Sequence, residues 1–211
     1  RRIEVCAVDE EHRALVGADE AFQYGHGGDL LGGGLARMLR GCQMSTVRAF
    51  IALGGNLPFE GLDSRGVLAR AVEALEEAGL EVLARSGLWV SPAWPPGVDQ
   101  PDYINAVVEV GGVSDPPGLY ELLLGVERRF GRDRRERWAA RTLDLDILAI
   151  EGAVGRFGDL ELPHARMHER AFVLAPLAEI APDWRHPLLG LRVDELLLGV
   201  SGAARRLGEL G

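Results

Sequence analysis

Arg141-Thr-Leu-Asp-Leu-Asp-Ile-Leu148 is the stretch on which the reading of this chain turns. Leu143, Leu145 and Ile147 alternate with Asp144 and Asp146. On a strand successive side chains point to opposite faces, so one face is apolar and the other carries two carboxylates. The apolar face belongs in a core. Two carboxylates side by side repel each other, which is costly unless a cation bridges them or water screens them. Hard oxygen ligands of this kind suit Mg²⁺, which keeps several waters and binds a couple of carboxylates together with substrate phosphates. The alternative is a solvated strand face with two ordinary aspartates, and the pair taken alone fits both.

Working toward the N-terminus, Pro116-Pro117 sits where a helix begins and runs to about Phe130. Tyr103 to Val110 and Val82 to Val90 read as strands, the second ending at Ser91-Pro92. Leu68, Val72, Leu75 and Ala78 recur at helical spacing before Gly79. Val47-Arg-Ala-Phe-Ile-Ala-Leu53 is a short apolar run that stops at Gly54-Gly55-Asn56. The order βαββαβ implies an α+β sandwich of ferredoxin-like type, with helices on one face of a mainly antiparallel sheet and extra helices toward the C-terminus. Residues 1–43 contain glycine clusters and no sustained period, and read as a poorly ordered extension to a domain over 44–211.

Three segments flank the acidic strand with chemistry of their own. Between Arg128 and Arg141 stand seven arginines, whose planar donor forks match phosphate oxygens; a solvated helix end paired with Asp133 and Glu136 is the plainer reading. Trp138 within that loop is either a lid over a planar ligand or a pin holding the loop down. Ser91 to Asn105 combines rigid prolines with Trp94, Tyr103 and Asn105, aromatics and an amide that suit a planar heterocycle with donors and acceptors on its edge. Taken singly, these are also ordinary loop and strand residues. Leu162-Pro-His-Ala-Arg-Met-His-Glu-Arg-Ala-Phe172 places His164 and Arg170 before an apolar helix reaching Ile180, as a second phosphate-contacting segment or as a capped loop histidine.

Bulk properties narrow the field. The 211 residues, 47% hydrophobic, suffice for one substantial core. Cys6 and Cys42 both precede residue 44, which leaves the remainder without cysteine chemistry. A net charge of −9 argues against a general nucleic-acid binder. No Gly-x-x-x-x-Gly-Lys-Ser/Thr loop occurs, so phosphate binding falls to metal and arginine. No apolar run is long enough to span a membrane.

Together, Ile51-Ala-Leu-Gly-Gly-Asn-Leu57, Asp99-Gln-Pro-Asp-Tyr-Ile-Asn-Ala106, Gly131 to Asp146, and Leu162-Pro-His with Arg170-Ala-Phe172 resemble the 6-hydroxymethyl-7,8-dihydropterin pyrophosphokinase family of folate biosynthesis. The resemblance covers residues 46–198. It implies transfer of diphosphate from ATP to the pterin hydroxymethyl group, with AMP as the second product. It further implies that Asp144 and Asp146 hold two Mg²⁺ ions and that Arg132 and Arg141 assist transfer. Arg134, His164 and Arg170 would contact the nucleotide, with Ile147 near the adenine. Ser91, Pro92, Trp94, Tyr103, Asn105, Trp138 and Phe172 match pterin-pocket positions, Trp138 and Phe172 sandwiching the ring. The expected partners are these two small molecules alone, with no nucleic acid and no membrane, for a cytoplasmic monomer. Gly55 stands where the family often has serine, and Ala140 where proline usually precedes the arginine. Two other classes compete: a two-metal nuclease, which needs a basic track, and a ferredoxin-like regulatory module, which has no use for Asp144 and Asp146.

Overall fold

Asp63 and Asp115 stand in extended conformation, and each accepts a backbone N–H three residues on, from Gly66 at 2.9 Å and Gly118 at 2.8 Å. These side chains satisfy donors that a helix start leaves without partners. They open α1 (Ser64–Glu77) and α2 (Pro116–Arg129). Pro116 and Pro117 fall in the first turn of α2, where a missing N–H costs nothing. The computed structural model describes residues 47–94, 97, 99–113, 115–132 and 140–211. The expected extension 1–43 and the site candidates Arg134 and Trp138 lie outside the described residues.

The strands are β1 (Ala49–Gly55), β2 (Glu81–Arg85), β3 (Gly87–Ser91), β4 (Tyr103–Gly111), β5 (Asp144–Ile150), β6 (Gly155–Phe157), β7 (Leu160–Leu162) and β8 (Arg205–Glu209). Six of them form one antiparallel sheet in the order β5-β1-β4-β3-β8, with β2 also pairing to β4; β6 and β7 make a separate hairpin. The expected βαββαβ order is therefore built, with one amendment. Val82 to Val90 is two strands on the same partner, interrupted at Ser86. The Ser86 N–H donates to the Val107 carbonyl, and its Oγ accepts the Val107 N–H, both at 2.9 Å. A hydroxyl thus stands in for a backbone acceptor and lets the strand bend without leaving a buried group unpaired.

Side-chain alternation divides the core in two. Ile51 and Leu53 of β1, Val108 and Val110 of β4, and Leu145 and Ile147 of β5 pack with α1 and α2 on one face. Val107, Leu148 and Met167 pack on the other with α3 (Ala171–Ile180) and α4 (Val193–Leu198), against Phe50 and Ala52. The helices expected on one face are α1 and α2, and the C-terminal helices cover the opposite one. They cover it only in part, and the uncovered end of that face carries the site. Among the described residues, no helix is long and apolar enough to cross a membrane.

Candidate active site

The pairing register lays four residues in one row across the sheet. Trp89 on β3 faces Asn105 on β4, Asn105 faces Gly54 on β1, and Gly54 faces Asp144 on β5. Directly opposed residues share a face, so Asn105 and Asp144 point the same way with a glycine between them. Asp146 lies opposite Ala52, on the same face and one repeat further along β5. The alternation expected of the acidic strand is what the chain adopts, Leu143, Leu145 and Ile147 all being buried. The Ile147 side chain is 3% exposed among residues packed on α1 and α2, which leaves its backbone on the edge of the Asp146 face.

Asp144 is held by two arginines, Arg132 to Oδ1 and Arg141 Nη1 to Oδ2, the second at 2.8 Å. Arg132 is also paired to Glu127, whose Oε1 accepts the Leu145 N–H at 2.8 Å. Glu127 is 1% exposed on the core face of α2. This buried acid fixes Arg132 and the start of β5 together, and reading the sequence alone missed it. The signal was present: Leu119, Leu123, Val126 and Phe130 mark the apolar stripe, and a charged residue at a core position of that stripe needs a partner. Burial works against the charge on Arg141, but Asp144 and a hydrogen bond with Tyr103 outweigh it and raise its pKa.

Asp146 is in a different state. Among the described residues it is paired with Arg170, whose Nη1 lies 3.9 Å from Oδ2. Surrounding protein holds back its hydration and Asp144 repels its charge, so its pKa is raised despite His164, Arg170 and Arg132. A carboxylate in that position gains from a cation. Asp144 and Asp146 supply only two ligands, and among the described residues no cluster of three or more potential metal ligands occurs. That set suits Mg²⁺ completed by water and phosphate oxygens rather than a closed protein cage.

His164 and Arg170 border the same carboxylates. The His164 N–H donates to the Leu148 carbonyl at 2.8 Å, which fastens the segment after β7 along β5. Its Nδ1 accepts the Arg166 N–H at 3.1 Å, and burial, with help from Arg170, keeps its pKa low against the pull of Asp146. Arg170 lies over the ring of Phe172, 5.7 Å from its centroid. On the other side of Gly54, the Asn105 amide nitrogen donates to Ser91 Oγ at 3.0 Å and to the Tyr103 carbonyl at 3.3 Å. Both Ser91 and Asn105 are buried, whereas Pro92 is exposed and Trp94 is 59% exposed. The structure thus brings together Arg132, Arg141, Asp144, Asp146, His164, Arg170, Phe172 and Tyr103, with Asn105 two strands from β5 and Ser91 three. Trp94 is on the surface.

A family model described as 7,8-dihydro-6-hydroxymethylpterin-pyrophosphokinase (HPPK) matches residues 50–182, which hold every strand of the sheet but β8 and the first residue of β1, and every described site residue. The chain belongs to this family. Similar HPPK proteins include the 2-amino-4-hydroxy-6-hydroxymethyldihydropteridine pyrophosphokinase of Methylorubrum extorquens, 44% identical over 137 residues that cover 64% of this chain and 84% of that one. The protein of the same name from Bacillus subtilis is 40% identical over 149 residues, covering 70% and 86%. Among solved structures, wild-type HPPK-DHPS of Plasmodium falciparum aligns with a TM-score of 0.56 at 14% identity, over 73% of this chain and 41% of that longer one. At that identity the likeness speaks for the HPPK fold alone.

Proposed function

We propose that the chain transfers the β,γ-diphosphate of ATP to the hydroxymethyl oxygen of 6-hydroxymethyl-7,8-dihydropterin. The single observation that carries this reading, in a member of the HPPK family, is the row Asn105–Gly54–Asp144. An amide suited to a heterocycle edge and a carboxylate suited to phosphate-bound cation share one face, separated by a position with no side chain.

In the reaction the pterin hydroxyl loses its proton as its oxygen bonds to the β-phosphorus. The bond from that phosphorus to the oxygen bridging it to the α-phosphorus breaks, and AMP leaves with that oxygen. No protein nucleophile is required, so positioning and charge stabilisation are the protein's work. Two Mg²⁺ ions held by Asp144 and Asp146 together with the ATP phosphates would neutralise charge on the transferring group and polarise the attacking oxygen. Arg132 and Arg141, already stationed on Asp144, offer forked donors to the phosphate oxygens, with Arg134 as a further nucleotide contact. His164 and Arg170 bind the nucleotide on the far side, and Ile147 contributes backbone groups there. Ser91, Pro92, Trp94, Tyr103, Asn105, Trp138 and Phe172 bind the pterin, Trp138 and Phe172 sandwiching its ring. Residues 44–211 suffice for this activity, in a cytoplasmic monomer.

The test is direct: the 211-residue chain with Mg²⁺, ATP and the dihydropterin should release AMP in step with pterin diphosphate. Release of ADP alone, or no turnover, overturns the reading.

A further inference from the structure

Asn56 lies just beyond β1, is 2% exposed, and spends its amide in two directions. Its Oδ1 accepts the Arg141 N–H at 2.9 Å. Its Nδ2 donates to the Pro101 carbonyl at 3.0 Å and lies 3.5 Å from Gln100 Oε1. The backbone completes the first arm, since the Asn56 and Leu57 N–H groups both donate to the Arg141 carbonyl, at 2.9 and 3.1 Å. Gly55 permits that approach: a Cβ built there would come within 2.3 Å of the Thr142 carbonyl oxygen, so any side chain must push the 141–142 backbone away.

The two arms end on different parts of the site. One fixes the backbone of Arg141, whose side chain is held by Asp144 and Tyr103. The other fixes the segment that enters β4 at Tyr103, two residues past Pro101. The contacts close a loop from Asn56 through Pro101 and Tyr103 to Arg141 and back. We propose that Asn56 is a positioning residue that holds the pterin-binding segment and Arg141 in register with each other, one amide arm setting the pterin pocket and the other the arginine. Asn56 touches no substrate itself. An amide is needed because only Asn at this length both accepts from one backbone and donates to another; Asp would keep the first arm and oppose the second.

This rests on the diphosphate-transfer reading, and the experiment separates the two. Initial rates of AMP release are measured for the unmodified chain, Asn56→Asp and Asn56→Ala, varying pterin and ATP in turn. Failure of the unmodified chain to release AMP rejects the proposed function and not this one. If Asn56 couples the two segments, Asn56→Asp raises KM for the pterin about tenfold with kcat within about twofold, whereas Asn56→Ala raises the same KM and also lowers kcat about 10- to 100-fold. KM for ATP stays within about twofold in both. Equal movement of both KM values, equal kcat losses in the two variants, or no change in any constant overturns the proposal.

Should either variant fail to fold by near-ultraviolet circular dichroism, amide hydrogen exchange on the unmodified chain decides. Saturating pterin without nucleotide should slow exchange of the Arg141 amide about tenfold or more. Protection confined to residues 91–105 overturns the coupling.

Discussion

Asn105 on β4 lies directly opposite Gly54 on β1, and a Cβ built on Gly54 would stand 3.4 Å from Asn105 Oδ1. Strands are spaced by about 4.8 Å, so the glycine leaves a gap of roughly 10 Å, backbone to backbone, between Asn105 and Asp144. A pterin anchored beside Asn105 must reach across that gap to phosphates gathered at Asp144. Gly54→Val would fill it with a branched side chain while improving the local preference for strand. We expect AMP release to fall about 100-fold or more, with the thermal midpoint unchanged or raised, since Gly in a strand costs about 0.5–1 kcal/mol relative to Ala. Turnover and a melting curve on one preparation check both halves. A variant that keeps normal KM and kcat shows that the substrate does not cross Gly54.

Asp146 should be needed for activity and costly to stability. In the absence of bound cation its charge is disfavoured by burial and by Asp144 on the same strand face. Asp146→Asn keeps the shape and removes the charge. We expect turnover to be lost while the chelator-treated protein becomes slightly more stable, the gain kept small because the side chain is 43% exposed and water screens the like-charge conflict. We also expect the rise in melting temperature that Mg²⁺ and nucleotide bring to the unmodified protein to disappear. A variant less stable than the parent in chelator means that Asp146 serves a folding contact.

How much of this was legible in the sequence depends on the range of the signal. Asp144 and Asp146 announced their common face because Leu143, Leu145 and Ile147 supplied a period of two around them, a local pattern. The same pattern places the Ile147 side chain in the core. Glu127 and Asn56 were not legible in this way, because their partners, Leu145 N–H and Arg141 N–H, are 18 and 85 positions away in the chain. β8 reads Arg-Arg-Leu-Gly-Glu, with no strand pattern, and becomes a strand only by pairing with β3. The break at Ser86 falls at Arg85-Ser86-Gly87 between two apolar stretches, which a single strand could also carry, and only the Val107 partner shows why the serine interrupts it.

Glu127 carries a consequence for Arg132. A carboxylate 1% exposed beside the guanidinium cannot lose its partner cheaply. Arg132→Met would leave Glu127 buried with only its remaining hydrogen bonds, and we expect a loss of about 3 kcal/mol in urea unfolding, typical of breaking a buried pair from one side. Arg132→Met combined with Glu127→Gln should recover much of that stability without recovering turnover. Comparing the single and double variants tells the buried-charge penalty from the loss of a phosphate ligand. A single variant as stable as the parent would show that Glu127 does not depend on Arg132.

Glu179, near the end of α3, fastens the edge of the sheet. One carboxylate oxygen accepts from the Gly87 N–H at 3.1 Å and Trp89 Nε1 at 3.0 Å, and the other accepts from Arg206 Nε and Nη2 at 3.0 and 2.8 Å. Burial alone would raise its pKa, but these donors, Arg206 foremost, outweigh burial and lower it. A carboxylate with a lowered folded pKa stabilises the fold fully above its unfolded pKa, and that stabilisation is lost as pH falls through the folded value. Glu179→Gln should therefore unfold about 1–2 kcal/mol more easily than the parent at pH 7, the usual worth of hydrogen bonds to a charged group. The difference should shrink as pH drops below the ordinary glutamate range of about 4.3, because the parent then loses the same charge. Urea midpoints of both proteins across that range measure the gap. A gap that stays constant with pH means the variant costs packing around β3 and β8 and not the charge on Glu179.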